Sequence, residues 1–141
     1  MFFESEKTSF GFRVARYALA LEDCSGAFER NTLSCDCAYW KHTEHSGLLW
    51  EEFLQTDEII RLYDGFVDVW KKRTDTYEFT DQAKHIRMKL TRLSEDSYEL
   101  QVTAFGRNHG NDIHDTFVLR EEIYKALDAL YYWKATFPVV D

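Results

Sequence analysis

Apolar side chains first fall into a clear period between Phe10 and Leu21, where Phe10, Phe12 and Val14 share one parity and Tyr17, Leu19 and Leu21 share the other. A strand that changes parity in mid-course implies an extra residue on one side, so this stretch predicts a bulge, or two short strands meeting, near Ala15. Leu33, Cys35, Cys37 and Tyr39 then make one face of a second strand. Its other face carries Ser34, Asp36, Ala38 and Trp40, which puts a tryptophan on the side otherwise reserved for solvent. Beyond a loop from Lys41 to Gly47 the period lengthens. From Thr56 to about Lys72, the residues Ile59, Leu62, Tyr63, Phe66, Val67 and Trp70 recur at helical spacing. Thr56 is placed as the N-cap, and Asp57 and Glu58 lie in the first turn, where the helix dipole favours acids. Asp57, Arg61, Asp64 and Asp68, at i, i+4, i+7 and i+11, form a charged stripe opposite the apolar side.

The second half returns to period two. His85 to Thr91 and Tyr98 to Phe105 alternate cleanly, with Ile86, Met88 and Leu90 facing Leu100, Val102 and Ala104, and Ser94 to Ser97 has turn composition. The outer faces of this predicted hairpin set Arg87 and Lys89 against Glu99 and Gln101, a mixed pairing suited to a solvated sheet. A short strand follows at about Thr116 to Leu119. A last helix runs from about Glu121 to Thr136, burying Ile123, Ala126, Leu127, Leu130 and Trp133, and Pro138 stops it. Tyr132 stands in the middle of that helix's polar face with Glu121, Lys125 and Asp128. No repeat, linker composition or long like-charge block divides the chain, so residues 1–141 read as one α+β domain. The expected architecture is an antiparallel sheet of about five to seven strands with two amphipathic helices packed on one face.

Composition narrows the function classes. With 45% hydrophobic and 30% charged residues the chain can build a core and keep a wet surface, which sets disorder aside. No apolar run approaches the roughly 20 residues a membrane helix needs, and Met1 to Lys7 has no signal-peptide core, so a cytoplasmic protein is expected. The formal charge of −8 argues against partners held through phosphates, so nucleic acid and anionic membranes are not expected, whereas a basic protein surface suits it. Cys24, Cys35 and Cys37 make an odd set with no convincing disulfide pair, and reduced thiols are expected.

Candidate chemistry is sparse. The chain holds no G-x-S-x-G elbow, phosphate loop, dinucleotide fingerprint or H-E-x-x-H, so no catalytic residue, cofactor or metal is assigned. The run from Asn108 to Asp115, with His109, His114 and Asp115, is the best metal candidate and supports the alternative of a metal-dependent, nuclease-like enzyme. Gly110 and Asn111 also suit a plain hairpin loop. His42, Glu44 and His45 form a second polar loop of the same kind, and Glu51, Glu52, Asp57 and Glu58 read as loop or helix-start acids with no partner to perturb them. Large aromatics on polar faces are the residue types that anchor interfaces. The partner-binding candidates are therefore Trp40 and Tyr132 as anchors, with Asp57, Asp64 and Asp68 as electrostatic steering.

The succession Thr56-Asp57-Glu58-Ile59-Ile60-Arg61-Leu62-Tyr63, then Ile86 to Leu90, Tyr98 to Val102, Phe117 to Leu119, and the final helix ending Thr136-Phe137-Pro138 resembles the WapI-type immunity protein family. That resemblance, over about two-thirds of the chain, rests on the order and spacing of elements. It implies a small bacterial cytosolic protein that neutralises a toxin, often a basic nuclease, by occluding its active surface. A homodimeric adaptor module is the remaining alternative.

Overall fold

The computed structural model describes residues 1–104 and 112–141. β1 (Phe2–Glu4), β2 (Thr8–Tyr17), β3 (Thr32–Lys41) and β4 (Ser46–Gln55) form one antiparallel sheet in that spatial order, with a single helical turn, α1 (Ala27–Arg30), between β2 and β3. α2 (Thr56–Trp70) follows. β5 (Thr76–Thr80), β6 (Ile86–Ser94), β7 (Ser97–Ala104) and β8 (Ile113–Leu119) then build a second antiparallel sheet, and α3 (Glu122–Thr136) closes the chain. The molecule is thus written twice as four meandering strands and a helix, with each strand paired to its neighbour in sequence.

The inner faces of both sheets share one core with α2 and α3. Phe3 of β1 meets Phe117 of β8 with ring centroids 6.1 Å apart, and Phe12 of β2 takes the edge of Trp133 of α3 at 5.8 Å. Leu33, Leu62, Phe66, Leu90, Leu100, Phe117 and Leu130 are fully buried in it, each contributing about 1.5–3 kcal/mol by removal from water. The helices pack on each other, and α2 lies against β4, β5 and β6. Among the described residues no helix is long and apolar enough to cross a membrane.

The α+β class and the antiparallel pairing agree with expectation. The single sheet of five to seven strands with two helices does not: eight strands form two sheets, and a third, one-turn helix is present among the described residues. β4 escaped notice because neither of its faces is polar. Leu48, Trp50 and Leu54 alternate with Leu49 and Phe53, so the period-two contrast vanishes. β1 is three residues long, and β5 buries a single side chain, Phe79. The bulge near Ala15 is where it was expected, since the β2–β3 register slips between Val14 and Arg16. The hairpin is also as expected, with Met88 opposite Val102 and Leu90 opposite Leu100.

The start of α2 differs in detail. Gln55, not Thr56, is the N-cap residue, and its backbone N–H donates to Glu58 Oε1 at 2.9 Å. The Thr56 hydroxyl instead donates to Asn31 Oδ1 at 3.1 Å. Asn31 also accepts from Val140 N–H at 2.7 Å, so one amide ties the end of α1, the start of α2 and the C-terminal tail together.

Gly65 sits inside α2, where glycine costs about 1 kcal/mol relative to alanine. The reason is packing: a β-carbon there would fall within the Tyr77 ring of β5, whose hydroxyl donates to the Arg61 carbonyl at 3.1 Å. Gly65→Ala is expected to destabilise by about 1–3 kcal/mol in urea unfolding, because overpacking outweighs the propensity gain. In a Tyr77→Ala background the same change should become neutral or stabilising.

Candidate functional site

β-Strand alternation sends one face of the first sheet into the core and leaves the other outside. Cross-strand register sorts that outer face into rows: Ser9, Trp40 and Gly47; then Phe2, Gly11, Ala38 and Leu49; then Arg13, Asp36 and Glu51; then Arg16, Ser34 and Phe53. Small residues flank Trp40 in the first row and separate Phe2 from Leu49 in the second. They leave a shallow cleft of about 280 Å³ bounded by Phe2, Trp40 and Leu49. Trp40 lies across Gly47, with ring carbons where a β-carbon would be, so the glycine is what lets the indole lie down on the sheet. Phe2, Trp40, Leu49 and Phe53 remain 62%, 45%, 83% and 44% exposed, an apolar set crossing strands β1, β3 and β4. Phe2, Trp40 and Leu49 line one cleft, and Phe53 stands beyond the charged row of Arg13, Asp36 and Glu51; exposed apolar surface of this kind is a candidate interaction face.

Charge on this face is paired. Arg13 Nη2 contacts Asp36 Oδ2 at 2.6 Å, Arg16 Nη2 lies 3.5 Å from Glu51 Oε2, and the Ser34 hydroxyl donates to the same Glu51 oxygen at 2.5 Å. Exposed pairs of this sort contribute about 0–1 kcal/mol, so the guanidinium groups can exchange partners at little cost. At the far end His42 bridges the backbone and the sheet. Its Nδ1 donates to the Glu6 carbonyl at 3.1 Å, since a carbonyl can only accept, and in the neutral ring Nε2 accepts from the Ser9 hydroxyl at 2.6 Å.

The residues singled out in the sequence are not brought together. Trp40 is on the outer face of the first sheet, whereas Tyr132 lies exposed on α3, the helix whose Trp133 packs on the inner face. Asp57, Asp64 and Asp68 run along α2, where Asp57 faces Arg61 at 3.7 Å and Asp68 faces Arg73 at 3.0 Å. A separate aromatic seam joins the helices. Tyr63 and Tyr131 lie 5.9 Å apart, Trp70 meets Tyr124 edge-on at 6.2 Å, and Lys134 Nζ stands 4.8 Å above the Tyr63 ring.

Half of the loop from Asn108 to Asp115, His109 included, lies outside the described residues. Of its remaining members, His114 shares a 2.8 Å hydrogen bond with Thr103, while Asp115 accepts from the Tyr39 hydroxyl. Adjacent residues on β8 point to opposite faces, so these two do not converge on one ion. The phenol of Tyr39 is held well above its ordinary range, first by burial and then by Asp115. Glu51 and Glu52, read from sequence as loop acids, belong to β4, one outside and one buried. Phe2, Leu49, Phe53, Arg13 and Arg16 were missed altogether. Only the doubly apolar run of β4 could have flagged two of them.

No family model and no curated protein matches the chain. Solved structures do. WHY1 from Arabidopsis thaliana is similar over 99% of this chain and 88% of its own at 9% identity, with a TM-score of 0.50. The plant transcriptional regulator PBF-2 is similar over 99% and 82% at 12% identity, also with a TM-score of 0.50. A guide-RNA-binding protein complex bound to its guide RNA is similar over 72% and 70% at 14% identity, with a TM-score of 0.45.

These findings correct two expectations, a toxin-occluding immunity protein with a basic toxin as partner, and a partner list without nucleic acid. The two structures similar over 99% of the chain are described as WHY1 and as a plant transcriptional regulator, not as toxin inhibitors. The physical reason for the first error is that helix, hairpin, strand and final helix occur in the same order in this two-sheet fold, so the pattern did not discriminate. The second error treated −8 as a property of every face, although net charge is a sum over the molecule. The description of PBF-2, a transcriptional regulator, is not that of an enzyme, in agreement with the expectation of a non-enzymatic protein.

Cys35 and Cys37 face the core, where burial pushes both thiols far above their ordinary range, and Cys24 is half-buried with its thiol donating to the Ala20 carbonyl at 3.3 Å. A thiol-specific reagent at neutral pH is therefore expected to modify Cys24 in the native protein and to reach Cys35 and Cys37 only after denaturation. Fast modification of all three before unfolding would contradict this burial.

Proposed function

We propose that the chain is a non-enzymatic nucleic-acid-binding protein that holds unpaired bases on the outer face of its first sheet. The observation that carries this reading is the exposed set Phe2, Trp40, Leu49 and Phe53 spread across the sheet, with Arg13 and Arg16 in the adjoining rows. Every base has a face that can stack on an aromatic side chain, but in a duplex those faces are covered by neighbouring bases. A shallow, aromatic, lightly charged sheet therefore suits single strands. The plant transcriptional regulator of the same fold supports the assignment.

The chain's formal charge of −8 sets the character of the binding. Arg13 and Arg16 are the basic groups in the rows of the aromatic set, each now near an acid. If both reach phosphates, the logarithm of affinity should fall with the logarithm of salt with a slope of only about −1.4. Stacking, at about 1–3 kcal/mol per base, then supplies most of the affinity. A phosphate would replace Asp36 or Glu51 on its arginine, an exchange of one charge-assisted pair for another.

Binding of a fluorescent single-stranded oligonucleotide of about 16 nucleotides, as DNA and as RNA, tests the proposal. Trp40→Ala and Phe53→Ala should each weaken binding by about 1–3 kcal/mol and abolish the matching part of any fluorescence quenching. Arg13→Gln with Arg16→Gln should flatten the salt dependence and leave the stacking contribution in place. Failure of the folded protein to bind either oligonucleotide, or binding unchanged in the aromatic variants, would remove this assignment.

A further inference from the structure

On the other side of β4, away from the aromatic face, three ligating side chains converge inside the protein. Glu52 points inward opposite Cys35 and is 4% exposed; Asp81, in the turn after β5, is 2% exposed; the His85 side chain, just before β6, is 17% exposed. One ligand atom from each lies within 4.8 Å of the others. His85 Nδ1 and Glu52 Oε2 are 2.8 Å apart. Asp81 is held rigidly, because its Oδ1 accepts the backbone N–H groups of His85 at 2.7 Å and Ile86 at 2.8 Å. Its Oδ2 is fully buried and has no hydrogen-bond partner among the described residues.

A buried carboxylate oxygen left without a partner is costly, and here the surroundings aggravate the cost. Glu58, the third buried acid of this region, has both oxygens in use, accepting Gln55 N–H at 2.9 Å and Gln82 N–H at 2.8 Å. Arg61 lies 3.9 Å from a Glu58 oxygen and 3.7 Å from Asp57, on the solvent side of α2. Two further buried carboxylates therefore stand around one imidazole, with Asp81 Oδ2 unpartnered among the described residues.

We infer that Glu52, Asp81 and His85 form a binding site for a first-row divalent metal cation of the zinc or manganese type. Two carboxylate oxygens and one imidazole nitrogen are ligands such ions accept, with solvent completing the shell at the partly open His85 side. The imidazole and the burial of both carboxylates disfavour magnesium, which prefers oxygen ligands and keeps several waters. Binding exchanges the Glu52–His85 hydrogen bond for bonds to the cation and gives Asp81 Oδ2 its missing partner. Because Glu52 belongs to the first sheet while Asp81 and His85 lie in the turn that joins β5 to β6 of the second, the ion would tie that turn to the first sheet. It would bind the folded chain and not the unfolded one, and so raise thermal stability. This site is independent of the nucleic-acid reading, since its ligands are on the inner side of β4.

The test uses untagged full-length protein, stripped with chelator, then dialysed against zinc, manganese or magnesium and assayed by elemental analysis, calorimetry and thermal unfolding. Expected are near-stoichiometric zinc or manganese uptake with a raised Tm, and weak or no magnesium binding. Asp81→Asn and Glu52→Gln should each weaken zinc affinity at least about tenfold, whereas Glu58→Gln should leave its stoichiometry unchanged. Cobalt in place of zinc should show d–d bands without a thiolate charge-transfer band, which separates this site from ligation by Cys35. Absence of uptake, or uptake unaltered in a folded Glu52→Gln, Asp81→Asn double variant, would overturn the inference and leave His85 as a purely structural bridge between two acids. Uptake lost instead with His109→Ala or Cys35→Ser would place the ion elsewhere and overturn it equally.

Discussion

Burial of one face from each four-stranded sheet in a single core is the constraint on which the rest depends. Phe3 against Phe117 and Phe12 against Trp133 lock the sheets and the last helix to one another. Strand geometry then leaves no freedom over what shows outside, because every inward side chain fixes its neighbours outward. The exposed Phe2, Trp40, Leu49 and Phe53 are thus held at set spacings by the same core that hides Phe3, Tyr39, Leu48 and Leu54. Gly11, Ala38 and Gly47 keep the surface between them low enough for a flat ligand to approach.

The proposed binding of nucleic acid by an acidic chain needs a local explanation, and the pairing on this face supplies one. Arg13 and Arg16 are matched by Asp36 and Glu51, so the face is close to neutral although the chain carries −8. Such a surface lacks the long-range attraction of a basic groove and favours ligands that gain from stacking. Weak, exposed ion pairs also make the arginines available without a large penalty.

The inner side of β4 obeys the opposite rule. A carboxylate inside a core must be matched by donors or by charge. Glu58 meets that demand through two backbone amides at the start of α2. Glu52 and Asp81 meet it only in part, through His85 and two amides, and Asp81 Oδ2 is unmatched among the described residues. Two adjoining residues of one strand, Glu51 and Glu52, therefore serve unrelated ends: one neutralises an arginine outside, the other sits among ligating groups within.

By itself the amino-acid sequence determined the local elements: the bulge at Ala15, the β6–β7 hairpin, the buried stripe of α3 and the free thiols. Each of these is written in the contrast between neighbouring positions, and that contrast survives any arrangement of the rest. β4 was illegible because both its faces are apolar, one for the core and one for the exposed cleft, so the period that reveals a strand was absent. Only the tertiary structure decided that the strands split into two sheets, that Trp40 shares a face with Phe2 and Phe53 but not with Tyr132, and that Glu52, Asp81 and His85 meet. Those relations join residues far apart in the chain through packing and register, and neither leaves a mark on local order: Glu52 and His85 are separated by 33 positions, yet the fold sets their side chains 2.8 Å apart.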